Sequence, residues 1–331
     1  MNGIPADDPG LAHAPRPWGR LTGPSIGDIR NLGVLVTLAA LFVVLSLTSD
    51  AFLTERNLLN ILEQWAPIGI LVLGGAVVII TGGFDLSVGA MYALAGVVSV
   101  VVAQHTGVAL GVLAGVATGT ACGLVNGALG TFARMNVFVA TLGSSIVFAG
   151  LATRISDGSI QAVDDAGFGF ANDKFLGIAV SIWMFLAAIV ACSVYLRRTS
   201  YGRRTFAIGG NAEAARLAGV RVFSVRICAF AIAGLGAGLG AVIVASQSLS
   251  ADPSSFTGVQ FNAWTAMLIG GNSLAGGEGA VWRSVVGVLI LALVNNGFNL
   301  LGVDPLWQQV LTGVILLAAL GLDALVRRKR S

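Results

Sequence analysis

Residues 86–133 read LSVGAMYALAGVVSVVVAQHTGVALGVLAGVATGTACGLVNGALGTFA, 48 consecutive positions without a charged side chain. A helix crossing the hydrocarbon core of a bilayer needs about 20 mostly apolar residues. The stretch is therefore too long for one span and fits two. Gln104, His105 and Gly107, near its middle, are the natural break.

The same ruler applies outward, because charges are costly at membrane depth. Eight further charge-free stretches follow: Asn31–Ser49, Gln64–Phe84, Met135–Thr153, Phe175–Leu196, Ile227–Ala251, Pro253–Gly277, Ser284–Val303 and Pro305–Leu322. Each has the length of a single span. The expected fold is an all-α integral membrane protein of about ten transmembrane helices, some broken or short, with both termini cytoplasmic. Composition agrees: the 331 residues are 56% apolar and only 11% charged, against about 25% in soluble domains. Too few polar residues exist to cover a soluble surface, which excludes soluble enzymes, nucleic-acid binders and disordered proteins.

Sidedness tests the count. With the N-terminus inside, 16 of the 19 Lys and Arg fall in inside segments, and only Arg56, Arg154 and Lys174 fall outside. This is the positive-inside bias. Residues 1–30 read as a flexible cytoplasmic tail, 31–325 as the membrane domain with a cytoplasmic loop at 197–226, and 326–331 as a basic tail. The first span reads as an uncleaved anchor. Cys122, Cys192 and Cys228 lie in or beside spans and read as packing residues.

Gly111, Gly115, Gly119, Gly123 and Gly127 recur every fourth residue, and Gly234, Gly236, Gly238 and Gly240 make another small-residue zone. Both sets predict close helix packing. The stretch Pro253–Gly277 is a poor span, convincingly apolar only over 261–269 and interrupted by Asn262 and Trp264. Interrupted segments are tolerated against protein or water and often line a transport pathway. Asn126, Asn295, Asn296 and Asn299 also lie in apolar surroundings. Two readings of these amides stay open: interhelical hydrogen bonding, or a polar translocation pathway for a hydroxyl-rich solute, which would also include Asn262 and Trp264.

Two loops share the pattern G-G-x-x-L-x-x-G, at Gly82–Gly89 and Gly270–Gly277. In the first, Asp85 is placed to cap the helix beginning near Leu86. No catalytic constellation, zinc spacing or Walker A lysine is present, so ATP-driven work requires a separate ATPase. No metal site is expected.

The sharpest local signal lies in the 197–226 loop, which holds seven arginines. Asn211 suits an N-cap, Glu213 favours the positive end of a helix dipole, and Gly219 suits the left-handed residue after a helix. The implied helix, Ala212–Ala218, is short enough to need a docking partner.

Here the sequence resembles a family. Glu213-Ala214-Ala215-x-x-x-Gly219 is similar to the E-A-A-x-x-x-G loop of bacterial ABC importer permeases, and Thr81–Gly89 resembles the T-G-G-I-D-L-S-V-G signature of the ribose-type sugar permeases, with Phe84 in place of Ile. Tyr201–Asn211, Gly270–Gly277 and Asn295–Gly302 resemble further segments of that group, although Glu278 stands where Lys or Arg is common. The resemblance covers about residues 50–325 in order. It implies a coupling helix around Asn211, Glu213, Ala214, Ala215, Arg216, Leu217 and Gly219 that docks on an ATPase, and a signature loop through Gly82, Gly83, Asp85, Leu86, Ser87 and Gly89. It further implies a bacterial inner-membrane permease for a monosaccharide or polyol. Such a permease works with a second permease subunit, two ATPase subunits and an extracytoplasmic binding protein, and ATP and Mg reside on the ATPase. Other solutes, such as branched-chain amino acids or nucleosides, are the nearest alternative. Ion-coupled transport is disfavoured because Glu63 and Asp85 lie only at span ends.

Overall fold

The computed structural model describes residues 26–132 and 135–304, with isolated positions between 307 and 321. Eleven α-helices dominate the described residues: α1 (Ile26–Thr48), α2 (Glu55–Ile80), α3 (Val88–Thr106), α4 (Val108–Phe132), α5 (Val137–Ile155), α6 (Val180–Arg198), α7 (Ser200–Gly210), α8 (Ala212–Leu217), α9 (Val222–Ser248), α10 (Phe256–Ile269) and α11 (Val281–Leu300). Eight of them, α1 to α6, α9 and α11, are long and apolar enough to cross a membrane. The 326–331 tail lies outside the described residues, as do 305, 306, 309, 315, 316, 319, 320 and 322 of the expected last span, whose described positions are helical; the expected 1–30 tail is described only from Ile26, where α1 begins.

The 48-residue stretch divides where its polar centre suggests. α3 ends at Thr106, α4 begins at Val108, and Gly107 alone connects them at φ +93°. A side chain there would strain a backbone that glycine adopts freely.

Charge gaps locate spans better than helix ends. α2 starts nine residues before Gln64 and includes Glu55, Arg56 and Glu63, because Thr54 caps it by accepting from the Asn57 amide. α6 likewise continues through Arg197 and Arg198.

The eighth expected span, Pro253–Gly277, is the main departure. α10 has only 14 residues. The chain reaches it through a short extended strand, β2 (Ser250–Ala251), which pairs antiparallel with β1 (Gln161–Ala162). Ala251 Cβ lies 3.7 Å from where Gly96, in the middle of α3, would carry a Cβ, and Phe256 and Gln260 pack on Gly89 at its start. The segment thus descends beside α3 as strand and then as half-helix. Non-helical backbone is stable at such depth only inside protein.

The centre is held by backbone-to-backbone packing. α2, α3 and α9 are the most buried membrane-length helices. α9 lies between two neighbours: Gly234 and Gly238 face Gly119 and Gly123 of α4, while Gly236 and Gly240 face Ile70 and Pro67 of α2. A methyl on Gly119 would come within 2.5 Å of the Gly234 carbonyl, and one on Gly240 within 2.6 Å of the Pro67 carbonyl. The predicted glycine ladders are therefore helix seams. Cys122, Cys192 and Cys228 are free thiols.

At one end of the bundle the 156–179 connection folds over α9: Val163 donates to Leu249 O at 2.9 Å and Ala171 to Ser246 Oγ at 2.9 Å. The other end carries α7, α8 and both look-alike loops.

Candidate functional site

α8 is capped as its sequence predicts. Asn211 Oδ1 accepts from the Ala214 amide at 2.9 Å. Past the helix, Gly219 has φ +82° and donates to Arg216 O, while Val220 donates to Ala215 O, which is a Schellman ending. The helix closes at Leu217, with Ala218 as its C-cap, one residue earlier than expected.

Its two faces differ. Ala215 is buried with Ile208 and Val225, fixing the inner face to α7 and α9. Glu213, Ala214, Arg216 and Leu217 are exposed, Leu217 at 76%. Arg216 grips Glu213 with two hydrogen bonds, at 3.0 and 2.5 Å. The pairing holds the Glu213 carboxyl below its ordinary range. The result is a short surface helix offering a leucine beside a bidentate ion pair.

α7, which sequence reading missed, ties this helix to the bundle. Gly209, in its last turn, sits so close to Ile80 O and the Gly277 amide that any Cβ would overlap both. Beneath it, Gly277 N donates to Ile80 O at 2.9 Å. Gly276 lies against Gly82, whose Cα is 2.6 Å from where Gly276 would carry a Cβ. The two look-alike loops thus meet each other and the base of α8.

The loops are structurally equivalent, but in a register shifted by one from the sequence match. Gly82 donates to Ile79 O and Gly83 to Val78 O; Gly271 donates to Leu268 O and Asn272 to Met267 O. Both are Schellman endings, of α2 and α10, with the left-handed residue at Gly82 (φ +78°) and Gly271 (φ +88°). Gly82 therefore corresponds to Gly271, not to Gly270.

The rest of the signature loop turns inward. Asp85 is 5% exposed. Its Oδ1 accepts from the Ser87 amide at 2.8 Å and from Ser87 Oγ at 2.7 Å, so it forms a turn ahead of α3 while Ser87 occupies the cap position. Burial pushes the Asp85 carboxyl up to about 6, partly offset by the bonds from Ser87 and by the Asn126 amide. Asn126, fully buried on α4, donates to Ser87 Oγ at 2.6 Å. Leu86 N donates to Thr141 Oγ1 on α5 at 3.1 Å, and Trp264 Nε1 on α10 donates to Asp85 O at 3.1 Å. The Phe84 and Trp264 ring centroids are 5.1 Å apart. Gly89 takes the close approach of α10.

The structure therefore gathers Asp85, Leu86, Ser87, Asn126 and Trp264 in one cluster. It places the other amides elsewhere. Asn296 exchanges hydrogen bonds with Asn57 of α2, at 2.8 and 3.2 Å, an interhelical pair. Asn299 is exposed and accepts from Gln308 at 3.1 Å, and Asn262 and Asn295 are half-buried. Sequence reading missed Asn57, Thr141 and Gln260. For Thr141 and Gln260 the only sequence signal is a polar side chain in a largely apolar run, and Asn57, directly after Thr54, Glu55 and Arg56, has none.

A bundle of membrane-length helices, joined through its backbone to a one-sided surface helix, has the architecture of a membrane permease. The model of the family described as branched-chain amino acid transport system / permease component matches residues 57–320, and the chain belongs to that family. It is 39% identical over 309 residues to the ribose import permease protein RbsC of Bacillus subtilis, covering 92% of this chain and 95% of that one. It is 38% identical over 295 residues to the L-arabinose transport system permease protein AraH of Escherichia coli, 88% and 89% covered, and 35% identical over 296 residues to the E. coli RbsC, 87% and 92% covered.

Proposed function

We propose that the chain is the transmembrane subunit of an ATP-driven importer that moves a monosaccharide, a ribose-like pentose or hexose or a related polyol, delivered by an extracytoplasmic binding protein. The observation that carries this reading is the identity of 35–39% to ribose and arabinose permeases over nearly the whole chain. The exposed face of α8 supports it, since a marginal helix with a bare leucine suits docking on a separate ATPase. The chain is a transport component; ATP and Mg belong to the partner.

In this reading the helices make ten spans in the bacterial inner membrane, with both termini, α8 and the two look-alike loops on the cytoplasmic side. Two permease copies and two ATPases form the complex. ATP-driven closure of the ATPases moves α8, and the contact of Gly209 with Ile80 and Gly277 carries that motion to α2 and α11. Asn126 and Trp264 border the pathway, with Asn262, Asn295, Asn296 and Asn299 as further polar positions along it.

The family description favours one second reading, a branched-chain amino acid as solute. Binding-protein-stimulated ATP hydrolysis by the reconstituted complex, run across pentoses, hexoses and branched-chain amino acids, tests both. Stimulation by a monosaccharide is expected; stimulation by amino acids alone would replace the solute. Uptake driven by an ion gradient without ATP would overturn the importer.

A further inference from the structure

Three buried oxygens around the 84–89 loop, Asp85 Oδ2, Asn126 Oδ1 and Gln260 Oε1, accept no hydrogen bond from any described residue. Buried polar atoms are ordinarily paired, and each exception carries a desolvation penalty with nothing in return. Finding three in one neighbourhood is unusual. Asp85 belongs to the loop, Asn126 to α4 and Gln260 to α10, where it packs on Gly89 one turn before Trp264.

The three share one chemistry. Each is an acceptor, and the Asn126 amide nitrogen already gives one N–H to Ser87 Oγ and leans its donor side on the Asp85 carboxyl. The Asp85 carboxyl, at about 6, is mainly ionised at neutral pH and so accepts. The segments that build the cluster, 81–89, 108–132 and 256–269, contain no lysine or arginine. A ligand completing the cluster must be rich in donors, and an anionic group would meet a carboxylate without a countercharge. Beside these oxygens lie the Phe84 and Trp264 rings, 5.1 Å apart, with Phe261 at 5.7 Å from Trp264. Hydroxyl donors on one side and apolar C–H groups on another describe a neutral polyol.

We infer that this cluster is a hydroxyl-reading site for the transported solute, in which Asp85, Asn126 and Gln260 accept hydrogen bonds from a polyol packed against Trp264. The inference rests on the importer reading above. The oxygens are enclosed in the present conformation, so the site receives solute when α10 moves off the loop. α10 is suited to that movement because it is short and joined to α9 by extended chain.

The test uses the complete reconstituted importer, saturated with binding protein, and compares turnover of an aldopentose with its monodeoxy derivatives. The wild type should turn over at least one derivative about tenfold more slowly, the equivalent of one lost hydrogen bond. Asp85→Asn and Gln260→Leu should lower turnover of the parent sugar and bring the ratio within about twofold, while Gln260→Glu, which keeps the acceptors, should retain it. Equal slowing of every sugar with the ratio intact would overturn the inference and leave an internal brace. A wild type blind to all deoxy derivatives would overturn it too. Failure of the wild type to move any monosaccharide would instead overturn the importer reading.

Discussion

The amide of Gly277 donates to the carbonyl of Ile80 at 2.9 Å, and Gly209 lies directly over that bond. Three segments distant in sequence, the end of α2, the loop before α11 and the last turn of α7, thereby meet without a side chain between them. Contact of this kind leaves little slack, because displacing any one backbone displaces the others.

Gly209→Ala should consequently be among the most damaging single-methyl changes in the chain. Its Cβ has no free direction, and overpacking of this kind costs about 1–3 kcal/mol. The neighbouring Gly210→Ala meets nothing within 4 Å and should stay within about 0.5 kcal/mol of wild type. Thermal unfolding of the two variants in the same detergent checks the contrast, and sugar-stimulated ATP hydrolysis should be lost only in Gly209→Ala.

At Gly219 the constraint is conformational. Nothing lies near its absent side chain, yet φ is +82°. Gly219→Val should unwind the end of α8 at a cost of about 1–2 kcal/mol, whereas Gly219→Asn, which tolerates the left-handed region, should lose less. Membrane insertion should be normal in both, and uptake should be abolished only in the valine variant.

Leu217 and Glu213 separate docking from folding. Leu217→Asp or Glu213→Lys changes an exposed face and should move the thermal midpoint of the isolated permease little, within about 0.5 kcal/mol. Both should weaken ATPase association in co-purification. Full association with either substitution would argue against α8 as the docking element.

The Asn57–Asn296 pair predicts a double-mutant cycle. Either leucine substitution alone strands an amide and should destabilise by about 0.6 kcal/mol, up to ~1.7. The double substitution should recover part of that loss. Additive effects would mean that the two amides do not depend on each other.

Asp85 should imprint a pH slope on stability. Its native carboxyl titrates at about 6, above the ordinary value near ~3.9. Between these values the folded state binds the extra proton, so stability is greatest below about pH 4 and falls as pH rises towards 6. The total is about 3 kcal/mol. Above pH 6 the loss is complete and the curve flattens. Asp85→Asn should erase this slope in thermal scans between pH 4 and 7.

Much of this architecture is legible in the sequence because charge and glycine act locally. Scarce charges delimit spans, Gly107 divides the 48-residue stretch, and Asn211 and Gly219 bracket α8. The match between the two look-alike loops was legible but slipped by one residue. A Gly-Gly pair does not reveal which glycine takes positive φ: Thr81 fills the preceding cap in one loop and Gly270 in the other. The half-helix α10 was visible only as a poor span. α7, the approach of Gly209 to Gly277, and the convergence of Gln260 on Asp85 depend on distant packing, which no local pattern encodes.

α1 bears on how the chain is made. Little of it is buried, and besides the neighbouring Phe52, which packs edge-on against Phe42, it has anchors late in the sequence: Leu45 packs on Gly297, and Asn31 accepts from Arg283 at 3.0 Å. α1 is thus made well before its seat, since α11 must be synthesised before the groove exists. A chain that stops short of α11 would therefore leave the Leu45 and Asn31 positions of α1 without the partners they have in the full structure.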